Sequence, residues 1–473
     1  MKARHPLAPL TVGETAAATR LALDACPGAR LVYCALREPA RETVLGWDGG
    51  AVPRLARCVL YDRAARMTWL VTAALDTRVV TSRVPVPGVQ PPIMAEEWAG
   101  NADQIKADPR FRAALARRGV TDLSQLQVDP WPAGNFGLEV DRSGRRLARG
   151  VAYVLDGPGS NPYARPVENL VAVLDRDTGE VIELIDGEVV PIPADPGRYD
   201  AAEVRRSRRM VVSFIANVGN YDYGFFWYFY LDGTIQAEVK LTGIIQTQAT
   251  GRGARVPYAS PVTPELAGPH HQHLFCFRLD PCVDGPANSV YEVDAIGVPS
   301  GPGNPYGNAF TYRATLLETE ATAQRLAAAD RARYWKIVNH ASLNACGEPV
   351  AYTLLPQPSA PLLAQDTAPI TARATFATRH LWVTPARPDE RRPAGEFPNQ
   401  SPGGDVLPTW TAADRPVTDT AIVVWHTVGT THFCRPEDFP VMPVEYVGFT
   451  LKPFGFFDRN PALDLAPPGH CHA

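Results

Sequence analysis

Between Tyr221 and Leu231 the chain places eight aromatic side chains in eleven residues, and Asp232-Gly233 follows. Aromatic residues suit a pleated, half-buried surface. Asp-Gly between alternating apolar runs is a strong signal for a two-residue hairpin turn. The stretch therefore predicts a strand, with Phe225 to Tyr230 in a core, that turns back onto "TIQAEVKLTGI". Further alternating runs, "MVVSFIANV" before it and "TAIVVWHTV" after it, extend the pattern. About 260 residues of this kind predict a large antiparallel β-sandwich. The 46 prolines of the 473 residues, about twice the usual share of roughly 5%, favour loops and turns over long helices. One helix is expected within the sandwich, over "LETEATAQRLAAADRARYW".

Two smaller units precede it, giving an α+β class for the N-terminal part. In the first, Thr11 and Glu14 stand at capping-box spacing before "AAATRLALDAC", which predicts a helix. Four strand-like runs follow: "ARLVYCAL", "RLARCVLYD", "MTWLVTAAL" and "RVVTSRVPV". In the second, Asp108-Pro109 is a good N-cap and first helical residue for "RFRAALARRG", closed by Gly119,. The strands "GVAYVLD" and "NLVAVLDRDTGEVIELI" come next, the latter a hairpin around Asp177-Thr178-Gly179,. The expected domains are 1–90, 91–196 and 205–473.

A net charge of −4 gives no basic face for nucleic acid. No run approaches the ~18 apolar residues of a spanning helix, and the N-terminus lacks the apolar region of a signal peptide. Eight scattered cysteines without a CxxC pair read as free thiols in a reducing compartment. A soluble cytoplasmic protein is expected.

Two stretches carry metal-binding potential. In "PHHQHLFCF", His271 and His273 lie two apart, so on a strand their imidazoles share one face. Neutral imidazole suits copper and zinc. In "WHTVGTTHFCRPEDFPVMP", His426 or His432 could supply a third ligand, and spacing alone does not choose between them. Tyr221 opens the aromatic strand between Asn220 and Asp222, and a phenol beside a redox-active metal can be oxidised.

Together these stretches resemble the copper amine oxidases. "NYDY" looks like that family's signature, in which copper and oxygen convert the first tyrosine, here Tyr221, into topaquinone. "HQHLFCFRLD" resembles the double-histidine copper motif and "THFCRPEDFPVMP" the third-ligand motif, which selects His432 over His426. The likeness continues through "KPFGFFDRNPALDL". It implies a copper ion on His271, His273 and His432. It also implies a topaquinone whose carbonyl condenses with a primary amine as a Schiff base. The products would be an aldehyde, ammonia and hydrogen peroxide, with molecular oxygen consumed. Asn220 would help to orient the ring, and a homodimer is implied. Asp280 matches one ligand of a second, structural cation site, but Cys282 and Ala421 stand where further aspartates are expected.

One departure is large. The family carries its catalytic aspartate base, a gating aromatic and a quinone-bonding tyrosine in a block ahead of the strand leading to the quinone. Here "VVPIPADPGRYDAAEV" runs directly into "RRSRRMVVSFIANVGNYDY" near Val204-Arg205, and no copy of the aspartate motif is found. Loss of a general base is typically worth ~10²–10⁴ in rate. Absent strands would also leave sheet edges unpaired. Asp195, Asp200 and Glu203 lie near the junction as substitutes for the base. The alternative to an active oxidase is an impaired or inactive copper-binding remnant of one.

Overall fold

The computed structural model describes residues 4–155, 157, 161–194, 206–401 and 403–464. The chain separates into two compact units, 1–203 and 204–473. The Val204-Arg205 junction, with Asp195, Asp200 and Glu203, lies outside the described residues.

In the first unit the helix Val12–Ala25 starts on its capping box: the Thr11 hydroxyl accepts from the Glu14 N–H at 3.2 Å and the Glu14 carboxylate accepts from the Thr11 N–H at 2.7 Å. Ala18 and Ala22 bury the helix against a meander of β1 (Arg30–Arg37), β2 (Leu55–Asp62), β3 (Met67–Ala74) and β4 (Val79–Val86). The arrangement then repeats. The helix Pro109–Arg117 is capped by the Asp108 carboxylate, which accepts from the Arg110 and Phe111 N–H groups at 2.8 and 3.1 Å. It packs on a second meander of β5 (Leu126–Pro132), β6 (Leu147–Val154), β7 (Pro166–Asp175) and β8 (Glu180–Asp186).

Two elements here carry weak sequence signals. The helix Ala95–Ala107 contains Gly100, Asn101 and Asp103, which dilute its apolar stripe. Strand β5 contains Pro130 and Pro132, tolerable because it is the first strand of its sheet and needs few donors on one side,.

Among its described residues the second unit is strand and loop apart from short helical turns. Its strands are β9 (Arg209–Val218), β10 (Tyr221–Tyr230), β11 (Ile235–Gly243), β12 (Gln248–Ala249), β13 (Ala259–Thr263), β14 (Leu266–Pro269) and β15 (His271–Leu279). They continue with β16 (Ser289–Gly297), β17 (Phe310–Leu317), β18 (Tyr334–Leu343), β19 (Pro349–Pro356), β20 (Leu381–Pro385), β21 (Ile422–His432) and β22 (Met442–Phe454). Eight form one sheet in the order β17-β16-β18-β19-β22-β11-β10-β9, and β15-β21-β20 form another. All their pairings are antiparallel. The core lies between these layers, where Trp335, Ile337, Leu354 and Phe449 of the large sheet meet Leu381, Val383, Ile422 and Val424 of the small one. This is the expected class: α+β N-terminal domains and a large antiparallel sandwich.

Three local expectations are corrected. The segment 318–333 is not a helix; it holds only the turn Ala329–Arg331. Its charges serve tertiary partners instead. Arg325 pairs with Glu292, Arg333 with Asp294 at 2.7 Å, and Glu320 with Arg415 at 2.7 Å. Such contacts override helix propensity, which is a weak preference. The hairpin after β10 is wider than two residues. The Tyr230 N–H donates to the Thr234 carbonyl at 2.9 Å, leaving a three-residue loop that closes on Gly233 at φ +80°,.

Third, the aromatic strand is only partly core. Tyr228 is buried, whereas Phe225, Phe226, Trp227, Phe229 and Tyr230 are half-buried. Phe225 and Trp227 face inward onto Phe275 and Phe277 of β15. Phe226 and Tyr228 point to the other face, beneath the Lys240 ammonium and the Arg209 guanidinium at 4.3 and 4.0 Å,.

Candidate metal centre and its tyrosine

The site is assembled by pairing register. β15 and β21 run antiparallel with His271 opposite His432 and His273 opposite Thr430. Directly opposed residues share a face, so His432 joins the two histidines of β15. His426 is on the same strand but sits opposite Phe277. It is fully buried against the Trp335 and Phe449 rings and donates from Nδ1 to the His380 carbonyl at 2.8 Å. The His271 ring centre lies 4.7 Å from that of His273 and 4.9 Å from that of His432.

Each imidazole has one nitrogen committed. His271 Nδ1 donates to the Pro269 carbonyl at 2.8 Å, which leaves Nε2 as an acceptor, 3.3 Å from the Tyr221 hydroxyl. His432 Nε2 donates to Asp438 at 2.9 Å, which leaves Nδ1 bare, 3.4 Å from His271 Nε2. His273 Nδ1 meets the Tyr223 hydroxyl at 2.8 Å, and its buried Nε2 has no partner. Two long contacts on His271 Nε2 and one buried His273 nitrogen without a partner leave a polar cluster that a cation would satisfy more fully,. The tethers on the far nitrogens are of the kind that orient metal-bound imidazoles.

Electrostatics agree with this donor set. Burial, reinforced by the neighbouring His271 and His432, pushes His273 down to about 4. Burial also lowers His271. Both are therefore neutral near pH 7, the form a metal requires. Burial pushes the Asp438 carboxyl up, but its bonds from His432 and Arg435 outweigh this and hold it below the usual range. Burial raises Tyr223 to about 12, so it stays protonated beside His273.

Tyr221 stands at the edge of this cluster. Its hydroxyl lies 3.3 Å from His271 Nε2 and accepts from the Gln246 N–H at 3.0 Å. Its ring centre is 4.8 Å from that of His273. Among the described residues no carboxylate hydrogen-bonds to this phenol. Gly243 lies opposite Tyr221 at φ +114°, and a Cβ there would meet the Asn220 carbonyl at 2.6 Å and Tyr221 Cα at 2.8 Å. The Asn220 side chain donates to the Ile244 carbonyl at 2.5 Å, tying the start of β10 to the end of β11 without touching the phenol.

Asp280 is remote from this cluster in its contacts. It is exposed past the end of β15, 3.4 Å from Arg278. Among the described residues the one group of three side chains whose ligand atoms lie within 4.8 Å of one another is His271, His432 and Cys434, so the expected ligand His273 packs against His271 by its ring without joining that group. Tyr223, Asp438, Gln246 and Cys434 escape sequence reasoning, because their roles depend on contacts across the fold. Asp438 alone had a local signal, six residues after His432 in the same loop.

Fold and site together define the class: an antiparallel β-sandwich that brings three imidazoles to one phenol. Residues 194–472 match the copper amine oxidase enzyme domain and residues 96–202 the N3 domain of the same family. A histamine oxidase of Arthrobacter globiformis is 35% identical over 632 aligned positions, covering 99% of this chain and 92% of the relative. A primary amine oxidase of Arthrobacter sp. strain P1 is 32% identical over 621 positions, covering 98% and 95%. The crystal structure of a copper-containing benzylamine oxidase from Hansenula polymorpha shares the fold at a TM-score of 0.54 and 22% identity, covering 98% of this chain and 100% of that one. The chain belongs to the copper amine oxidases, oxidoreductases that act on amines with oxygen. Both alignments are longer than the 473 residues of the chain, so they contain gapped positions that this chain does not fill. Among the described residues no helix is long and apolar enough to cross a membrane.

Proposed function

We propose that the chain binds one copper ion through His271 Nε2, His273 Nε2 and His432 Nδ1. It would then oxidise primary amines to aldehydes with release of ammonia and hydrogen peroxide. The observation that carries this reading is His271 Nε2 lying 3.3 Å from the Tyr221 hydroxyl and 3.4 Å from His432 Nδ1, with the unpartnered His273 Nε2 on the neighbouring ring. Copper would supply the oxygen chemistry that turns Tyr221 into topaquinone, and the quinone would supply the electrophilic carbonyl for the amine. The chain's own residues do the positioning. The Pro269 carbonyl, Tyr223 and Asp438 fix the three rings, the Gln246 N–H holds the phenol oxygen, and Asn220 fixes the strand end from which Tyr221 projects. Among the described residues Asp280 belongs to no group of ligating side chains, so a second cation there would be weakly held. The seven described cysteines are unpaired, which fits a reducing compartment such as the cytoplasm. A homodimer is proposed from family membership.

A second reading, slow or absent turnover, is favoured by a specific observation. The alignment gaps and the exposed apolar strand β9 are what loss of the block carrying the base would leave. Turnover would then fall by ~10²–10⁴ relative to members that keep the base. Peroxide release from the copper-loaded, aerated protein on adding benzylamine, methylamine or histamine tests both readings. Release that disappears in Tyr221→Phe supports the oxidase. Stoichiometric copper with no peroxide leaves the inactive remnant.

A further inference from the structure

The large sheet carries a second cluster of reactive side chains, away from the histidines. Trp335 and Ile337 of β18 face the core, so Lys336 between them faces outward. Tyr291 of β16 stands directly opposite Lys336, on the same face. With Tyr312, Tyr334, His340, Glu348 and Phe454 they line a cleft of about 210 Å³, toward the small end of ligand pockets. A hydrogen-bonded relay runs along it. The Tyr291 hydroxyl lies 3.0 Å from His340 Nε2, and His340 Nδ1 lies 2.6 Å from Asp419. The bond from His340 holds the Asp419 carboxyl below the usual range. Asp419 is itself fixed: its N–H donates to Ser289 Oγ at 2.8 Å and its carboxylate accepts from that hydroxyl at 3.1 Å.

Lys336 is half-buried, with its ammonium 4.2 Å from the centre of the Phe454 ring. Among the described residues it makes no ion pair or hydrogen bond, whereas Lys240 pairs with Glu238 at 3.6 Å. Burial lowers Lys336 against the pull of Glu348, the one carboxylate lining the cleft. A desolvated lysine amine is a nucleophile toward carbonyl carbon.

We propose that Lys336 is a carbonyl-capture site, where its amine condenses with a small aldehyde to form an imine. The oxidase reading above makes an aldehyde the product of this chain, but capture applies to aldehydes from any source. The Nζ lone pair attacks the carbonyl carbon and a C–N bond forms. The aldehyde oxygen leaves as water with the two amine protons, relayed through Tyr291 and His340, and nothing is oxidised or reduced. Asp419 steadies the imidazolium that forms in passing.

The test treats the metal-free, full-length protein with benzaldehyde and cyanoborohydride, which reduces an imine to a stable benzylamine, and maps the label by peptide mass spectrometry. The chain has only five lysines. At pH 7 Lys336 should be labelled at least about tenfold faster than Lys240, and the gap should close above pH ~10.4, where ordinary lysines also lose their proton. Lys336→Arg should lose the fast label and leave the slower ones unchanged. His340→Gln should slow labelling at Lys336 without moving it to another lysine. Equal rates at Lys336 and Lys240 in the wild type would overturn the capture site, and a rate unchanged in His340→Gln would overturn the relay. Because the aldehyde is added and no metal is present, either result stands apart from the outcome of the peroxide assay.

Discussion

Strand β10 lies between two neighbours of opposite character. On one side β11 is built into the core, with Val239 fully buried and Leu241 1% exposed. On the other side β9 ends the sheet with Phe214 60% and Ile215 75% exposed. Strand β15, which carries two of the histidines, also ends its own sheet. The strand of the tyrosine is therefore closed by the buried β11 on one edge and bordered by the exposed β9 on the other, while its histidine partners come from the separate sheet of β15 and β21. Local packing around Tyr221 supports cofactor chemistry.

That contrast can be broken most severely at the metal. Removing one of three ligands in His432→Ala should abolish stoichiometric copper binding, read by metal analysis after dialysis. The next largest effect compares the two flanks directly. Leu241→Ala in β11 should cost about 2–5 kcal/mol, whereas Ile215→Ala in β9 should change stability by no more than about 0.5 kcal/mol, both measured by urea unfolding. Equal losses would mean that β9 is covered in solution. Asp438→Asn, which keeps the side-chain shape but loses the charge behind His432, should weaken copper binding about ten- to hundredfold.

The smallest effect is a proton effect in the interior. Burial pushes His426 down to about 3. Above pH ~6.5 the folded and unfolded states are both neutral at this residue. As pH falls below that value the unfolded chain takes up a proton that the folded one refuses, so stability declines toward pH 3. His426→Asn should flatten this part of the acid-unfolding curve of the metal-free protein.

Much of the site was legible because its signals are local. An H-x-H pair on a strand places His271 and His273 on one face whatever the rest of the chain does. Choosing between His426 and His432 was beyond spacing, for a physical reason. They lie six apart on one strand, so both point the same way, and only the pairing register sets His432 against His271 and His426 against Phe277. Tyr223 and Cys434 share that difficulty, since the contacts that matter run to His273 and to Pro269. In the fold, local caps such as Thr11 with Glu14 announced their helix. The alanine-rich segment 318–333 misled, because its arginines reach across to β16 and the chain follows them. The half-buried state of the aromatic strand was hidden likewise, since burial depends on the neighbours a strand has.

The central claim is that this histidine cluster can turn Tyr221 into a quinone. The most direct measurement is a redox-cycling quinone stain of the denatured protein after copper loading in air. Staining of the wild type, absent in both Tyr221→Phe and His432→Ala, is the expected result. One copper bound per chain with no stain, or a stain that persists in Tyr221→Phe, would contradict it.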